Sequence, residues 1–199
     1  MAEHVSEIQE RRLLHTRQVT CTGYLRKDGL FEFEGRLCDT KSYDSQLLFG
    51  SIAANDPVHR MLIVMTVDQD LVIHELSAVT EAAPTPFCSQ INGAYAALKG
   101  LRIGPGFKKR MLERVGGERG CTHLTELLGP MATTVYQTLS MLAYGAQRER
   151  VAVDPHTQFA GNRWVIGSCH GYRNGGEAAQ RLLARSQTTD SLPLAAAFD

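Results

Sequence analysis

Apolar and polar residues alternate through much of the first eighty residues, as they do in half-buried β-strands. Residues 19–26 alternate, and residues 30–37 alternate again after a turn at 27–29 that ends in glycine. Two further apolar and β-branched runs, 60–67 and 71–79, are separated by an acidic turn. This pattern predicts two hairpins that form a four-stranded antiparallel sheet, with residues 39–57 as a loop over it.

The second half of the chain changes to helical spacing. Helices are predicted over 87–98, over 106–115 and from about residue 121, where Pro130 predicts a kink or a break. Residues 164–168 predict a short late strand, and residues 177–185 predict a last amphipathic helix. Because strands come first and helices afterwards, we expect an α+β fold with the helices packed on one face of the sheet.

Length and charge restrict the classes of protein that this chain can belong to. Its 199 residues suit a polar lead-in over 1–12, one domain over 13–186 and a frayed tail over 187–199. The 21 basic residues equal the 21 acidic ones, which argues against nucleic acid or an anionic membrane as the main partner. The start is charged and resembles no secretory signal, and no apolar run has the ~18 to 20 residues of a membrane span. We therefore expect a cytoplasmic protein.

The five cysteines are odd in number and widely scattered, which is a poor disulfide framework and favours reduced thiols. The commonest zinc, nucleotide and dinucleotide motifs are absent from the sequence. The simplest expectation is a protein without a cofactor, and the alternative is one that binds zinc or an iron–sulfur cluster.

The densest group of reactive residues follows two glycine turns, at the predicted start of the longest helix. Cys121, His123 and Glu126 fall within about one turn there, so that a thiol, an imidazole and a carboxylate can converge. A helix N-terminus also stabilises anions and lowers a thiol pKa. The alternative is structural, with Cys121 in the core and a neighbouring threonine as a helix cap.

Other candidates lie on the predicted strands and on the helix over 87–98. His59 is a candidate general base, and Tyr24 is a candidate phenolic acid. Arg17 and Arg26 are candidates for binding a substrate anion, although salt bridges to the acidic residues of the next strand are the competing interpretation. Tyr95 and Cys88 are candidates for contact with substrate.

A soft metal site is an alternative use of the cysteines. Cys88, Cys121, His123 and Cys169, or His170 beside it, would supply thiolate and imidazole ligands of the kind that zinc takes. None of their spacings is a recognised zinc signature.

Several strings of the sequence resemble a bacterial family known as domain of unknown function 2889. The most specific of them is the GCTHLTEL string within 116–127. The resemblance covers roughly residues 11–180 and is carried by 15–17, 23–30, 39–41, 59–61, 67–71, 116–127 and 169–170. This resemblance implies a connection with bacteria that degrade aromatic compounds. A weaker similarity is to iron–sulfur scaffold proteins of the IscU/NifU type, whose early cysteine and acidic partner are missing here.

Three functions are consistent with these features. The first is a cofactor-independent acid–base lyase or isomerase acting on a small molecule. The family resemblance suggests lignin-derived phenolic compounds, with loss of formaldehyde or opening of a ring ether through a quinone-methide-like intermediate. The alternatives are a metal or iron–sulfur carrier and a non-catalytic binding module. A homodimer is a further expectation, because pairing of two chains would cover the open edge of the sheet.

Overall fold

The computed structural model describes residues 11–149, 165–167 and 169–189. The chain divides into two compact units, residues 1–138 and 139–199, and each is described by itself. In chain order the strands are β1 (His15–Leu25), β2 (Phe31–Lys41), β3 (Ser45–Leu47), β4 (Gly50–Ile52), β5 (Pro57–Val67) and β6 (Ile73–Ala82). The helices are a 3₁₀ helix (Cys88–Leu98), α1 (Phe107–Val115), a 3₁₀ turn (Gly117–Arg119), α2 (Thr122–Glu149) and α3 (Glu177–Thr189).

Four of the strands form one antiparallel sheet in the order β1-β2-β5-β6, which confirms the two predicted hairpins. Alternate residues of β2 and β5 point to one face and form the core, with Phe33, Leu37, Met61, Ile63 and Met65 at 2% exposure or less. The strands are longer than predicted at the end away from the first turn, because β2 continues to Lys41 and β5 begins at Pro57.

Within the first unit, α2 packs on the buried face of the sheet, as predicted for an α+β fold. The point of closest approach is Gly35 in the middle of β2, where an added Cβ would lie 2.4 Å from the Met131 sulfur and 3.2 Å from Leu127 Cγ. Glycine at this position therefore lets α2 approach the backbone of the sheet. The side chain of Tyr95, on the 3₁₀ helix, is fully buried and belongs to the same core.

Three local predictions are wrong. Residues 42–56 contain the small β3–β4 hairpin instead of an irregular loop. The break predicted as one outcome at Pro130 does not occur, because α2 continues through this residue; Pro130 lies on the exposed side of the helix, where water can satisfy the carbonyl that proline leaves without a donor. Residues 165–167, the described part of the predicted late strand, form turns because Gly167, at φ +79°, bonds back to the Tyr172 carbonyl.

The predicted helix over 177–185 is confirmed and extends over Glu177–Thr189. The helix α2 extends to Glu149, and residues 150–164 lie outside the described residues. The same holds for residues 1–10 of the lead-in and 190–199 of the tail. No helix in the part of the chain that the structure describes has the length and apolar character to cross a membrane.

Candidate active site

A row of polar residues crosses three strands at the open end of the sheet. Arg17 on β1 lies opposite Asp39 on β2, and Asp39 lies opposite His59 on β5. All three continue the face that is apolar over the rest of the sheet. Asp39 thus takes the place of the next buried side chain after Leu37, with only 2% of its carboxylate side chain exposed.

The Asp39 carboxylate is the centre of this row and is fully engaged. Arg17 holds it with two hydrogen bonds, from Nε to Oδ1 at 2.7 Å and from Nη2 to Oδ2 at 2.8 Å. His15 Nε2 lies 3.2 Å from Oδ1, and His59 Nδ1 lies 3.0 Å from Oδ2. Among the described residues, every buried side-chain nitrogen or oxygen has a hydrogen-bond partner.

The first turn of α2 packs against this row of polar residues through His123 and Glu126. His123 stacks on His59 with ring centroids 3.8 Å apart, and its Nε2 lies 4.0 Å from Asp39 Oδ2. Glu126, one turn along, accepts a 3.0 Å hydrogen bond from Arg17 Nη1. We call His15, Arg17, Asp39, His59, His123 and Glu126 the Asp39 cluster.

Tyr95 fixes the start of α2 relative to the sheet. Its hydroxyl donates to the Cys121 carbonyl at 2.8 Å and accepts from the Cys121 N–H at 2.9 Å. It also lies 2.8 Å from Thr125 Oγ1, which donates in turn to the Val115 carbonyl. Since Tyr95 is fully buried, the structure gives it a positioning role at the helix start, where the sequence suggested contact with substrate.

Exposure increases from the floor of the cluster to its rim. Asp39 is 2% exposed, His59 13% and His123 25%, whereas Arg17 is 38% and Glu126 57% exposed. The two stacked imidazoles are thus the part of the cluster that is both sheltered and reachable. This arrangement suits proton transfer to a small molecule seated between the rim and the imidazoles.

The charges of the cluster determine which groups carry protons. Burial acts to raise the pKa of Asp39, but the hydrogen bonds from Arg17 and His15 outweigh it and hold that pKa at about 2. The hydrogen bond to Asp39 raises the pKa of Arg17. Burial lowers the pKa of His59 and the neighbouring His123 lowers it further, against the opposing effect of Asp39.

The tautomer of His59 follows from this balance. An ionised carboxylate only accepts hydrogen bonds, so His59 Nδ1 must carry the proton that it shares with Asp39. In neutral His59 the Nε2 lone pair is then free. A carboxylate that orients an imidazole in this way is the arrangement that prepares histidine as a general base.

Stability should fall with acid in two stages. In the folded protein the pKa values of His59 and Asp39 both lie below their ordinary values of 6.5 and 3.8. Each group therefore stabilises the fold when the pH is above its ordinary pKa, and this contribution is lost as the pH falls through its folded-state pKa. Asp39 should account for about 2 kcal/mol, lost between roughly pH 4.5 and 2. Denaturant unfolding from pH 8 to 2 in EDTA measures this. If Asp39→Asn loses stability below pH 5 in parallel with the wild type, the assignment to Asp39 is wrong.

Not all of the residues predicted from the sequence come together. Arg17, His59, His123 and Glu126 do, and Cys121 Sγ lies 4.0 Å from His123 Nδ1. Tyr24 is half exposed and lies seven residues along β1 from Arg17, a separation of about 23 Å. Arg26 lies beyond it and pairs with Asp28 and Glu32, as the competing salt-bridge interpretation proposed.

Among the described residues, the cysteines proposed as metal ligands do not form a cluster of ligand atoms close enough to hold one ion. Cys88 Sγ lies 3.4 Å from Thr85 Oγ1 at the start of the 3₁₀ helix. Cys169 is exposed and belongs to the second unit. Among the described residues, the group whose ligand atoms lie close enough for a metal ion is Asp39, His59 and His123.

Asp39 is not among the candidate site residues predicted from the sequence, although a signal was present. Phe31, Phe33, Gly35 and Leu37 alternate toward the core, so Asp39 is next in an apolar series. An acidic residue at such a position is buried and needs partners. The interpretation of residues 39–57 as a loop ends this alternating series of core positions at Leu37, one position before Asp39.

Comparison with known proteins identifies the family of this chain. Residues 15–137 match the family described as a protein of unknown function, DUF2889. The chain belongs to this family, and the matched span begins at His15 and contains the whole Asp39 cluster. No curated protein and no solved structure matches the chain, so the weaker similarity to iron–sulfur scaffolds gains no support.

Proposed function

We propose that this protein is a cofactor-independent acid–base enzyme, a lyase or an isomerase, that acts on a small molecule at the Asp39 cluster. The observation that carries the proposal is the pair of stacked imidazoles over a buried carboxylate. Catalysis of this type needs one group that accepts a proton and a second that donates one, both held in a sheltered place.

The residues divide these roles by position. His59 accepts a proton at Nε2, since Asp39 holds its Nδ1–H. His123 is assigned the donor role because it stacks on His59 and lies nearer the rim, with 25% of its side chain exposed against 13% for His59. Arg17 uses one hydrogen of Nη2 and one of Nη1 for Asp39 and Glu126, which leaves a second hydrogen on each for a substrate anion. These three groups are sufficient for a redox-neutral elimination or proton shift.

A narrower proposal concerns phenolic compounds from lignin, the substrates that the family resemblance suggests. Loss of formaldehyde from a hydroxymethyl group requires a base to take the hydroxyl proton as the carbon–carbon bond breaks, and the electron pair of that bond moves into the neighbouring quinone methide, which becomes a phenolate. Opening of a ring ether requires an acid to protonate the leaving oxygen. His59 and His123 supply these two functions, and neither reaction consumes an oxidant or a reductant.

The test is an assay of the EDTA-treated protein against phenolic dimers that carry hydroxymethyl and ring-ether groups. Formaldehyde and the aromatic product are measured together by trapping and mass spectrometry. We expect turnover by the wild type and a decrease of about 10²-fold or more in His59→Gln and His123→Gln, the usual size of general acid or base catalysis.

The matched control is His74→Gln, which changes a histidine of the same sheet that pairs with Asp68 outside the cluster. We expect this variant to keep wild-type activity. Equal losses in all three variants, or full activity in His59→Gln, would exclude the proposed mechanism. Activity on a non-phenolic substrate with the same dependence on His59 would keep the mechanism and refute the substrate class.

A further inference from the structure

Three donor atoms of the Asp39 cluster lie in the arrangement of a metal site. One ligand atom each from Asp39, His59 and His123 fall within 4.8 Å of one another. Asp39 Oδ2 is 3.0 Å from His59 Nδ1 and 4.0 Å from His123 Nε2. Tetrahedral bonds of about 2.1 Å place neighbouring ligands about 3.4 Å apart. The observed distances lie on either side of that value, so small side-chain rotations suffice.

We propose that Asp39, His59 and His123 bind one divalent transition-metal ion of the zinc class. Two imidazoles and a carboxylate are ligands that such ions share, whereas magnesium and calcium prefer sets made of oxygen alone. Three protein ligands leave at least one coordination position open. The ion would displace the proton that His59 Nδ1 now shares with Asp39.

Arg17 and His15 orient the carboxylate for this role. Arg17 Nε and His15 Nε2 hold Asp39 Oδ1, and Arg17 Nη2 holds Oδ2, the oxygen that also faces both imidazoles. Hydrogen bonds of this kind from outside the ligand set fix a metal-binding carboxylate. The nearby positive charge of Arg17 also repels a cation, so we expect reversible binding that is weaker than in a closed four-ligand structural site.

This site differs from the cysteine-based set that the sequence suggested. Cys121 Sγ lies beside His123 Nδ1, whereas the nitrogen that faces Asp39 is Nε2 on the other side of the ring. Cys121 is therefore outside the ligand set. A thiolate ligand gives bound cobalt a characteristic near-ultraviolet charge-transfer band, and this band should be missing here.

The ion and the proposed chemistry compete for the same groups. A bound metal takes the position between His59, His123 and Asp39, so zinc should inhibit the acid–base activity and EDTA should restore it. This consequence rests on the proposed function, whereas metal binding itself does not. If metal binds and raises activity instead, the binding site stands and cofactor-independent catalysis fails.

The experiment is a calorimetric titration of EDTA-stripped, desalted full-length protein with zinc chloride, followed by the cobalt absorption spectrum. We expect about one ion per chain, at least tenfold weaker binding in His123→Gln, and unchanged binding in Cys121→Ser and His74→Gln. His123 is the better ligand to change because it is more exposed than His59, and circular dichroism checks the fold of each variant.

Each result decides the proposal. Visible cobalt bands without the thiolate band support the site, as does loss of binding in a folded His123→Gln protein. Absence of zinc binding, binding that is unaffected by His123→Gln, or a thiolate band that disappears in Cys121→Ser would overturn it. The cobalt spectrum needs only the wild type, so the test remains decisive if a variant fails to fold.

Discussion

Changing Asp39 to asparagine should lower the free energy of unfolding by about 3 kcal/mol, near the lower end of what breaking a buried ion pair costs. The asparagine amide group would point N–H donors at Arg17 or at His59, which are themselves donors. Arg17 and His15 can still reach water at the rim, and this moderates the loss. Chemical denaturation at pH 7.5 measures the effect.

The same substitution should also reduce any activity of the site by about 10²- to 10⁴-fold, because His59 would lose the carboxylate that fixes its tautomer. Nitrogen-15 NMR of the imidazoles reports this directly, as a change in the population of the His59 Nδ1–H form. A purely structural role for Asp39 predicts no such change in the folded variant.

The control for Asp39→Asn is Asp28→Asn. Asp28 also binds an arginine, but it lies in the exposed turn between β1 and β2, where solvent screens the pair. We expect little change in its stability. If the two variants lose similar stability, burial of Asp39 is not what makes its ion pair important.

Changing Gly120 to alanine should destabilise the protein by about 3 kcal/mol, the upper part of the usual cost of overpacking. An added Cβ would lie 2.0 Å from the Val115 carbonyl oxygen and 3.1 Å from the Tyr95 hydroxyl. The backbone of Gly120 is extended, with φ −155°, so the reason is lack of space and not strain in the dihedral angle. Because the nearest atom belongs to the backbone, no side-chain rotation relieves the contact.

The effect of Gly120→Ala should extend to the site, because Gly120 directly precedes the residue that Tyr95 holds. A shift of the helix start would separate His123 from His59 and reduce zinc binding together with stability.

The matched control is Gly93→Ala in the 3₁₀ helix, where an added Cβ meets nothing within 4 Å. That variant should be as stable as the wild type or gain about 0.5 kcal/mol. Thermal and chemical unfolding of both variants compares them, and a Gly120→Ala protein of wild-type stability would contradict the packing argument.

Much of the fold could be predicted because the sheet follows local rules. The two hairpins follow from apolar and polar residues that alternate with a period of two and from turn residues between the strands. Both signals depend only on residues that are close together in the sequence. The predicted strand over 164–168 is wrong at its described residues, 165–167, for a related reason. Short apolar runs fit several structures, and there the glycine at 167 turns the chain instead.

The site was predictable only in part, because it depends on register between strands that are distant in sequence. The sequence suggested Arg17, His59 and His123 separately, by residue type and by position near element ends. No local sequence pattern indicates that Arg17 and His59 face the same carboxylate, because this follows from the pairing of β1, β2 and β5. The same pairing places Tyr24 at the opposite end of β1, where it lies across from Glu32.

The polar row across β1, β2 and β5 also sets how stable this domain is able to become. Elsewhere on that face β2 and β5 bury apolar side chains, and a buried ion group replaced by well-packed apolar residues often leaves a protein equally or more stable. Replacing Arg17, Asp39 and His59 together by apolar residues should therefore remove the ionisable groups of the row and leave the fold intact. Engineering for heat resistance would select these positions first, and the most thermostable variants of this chain would be the ones that have lost the Asp39 cluster.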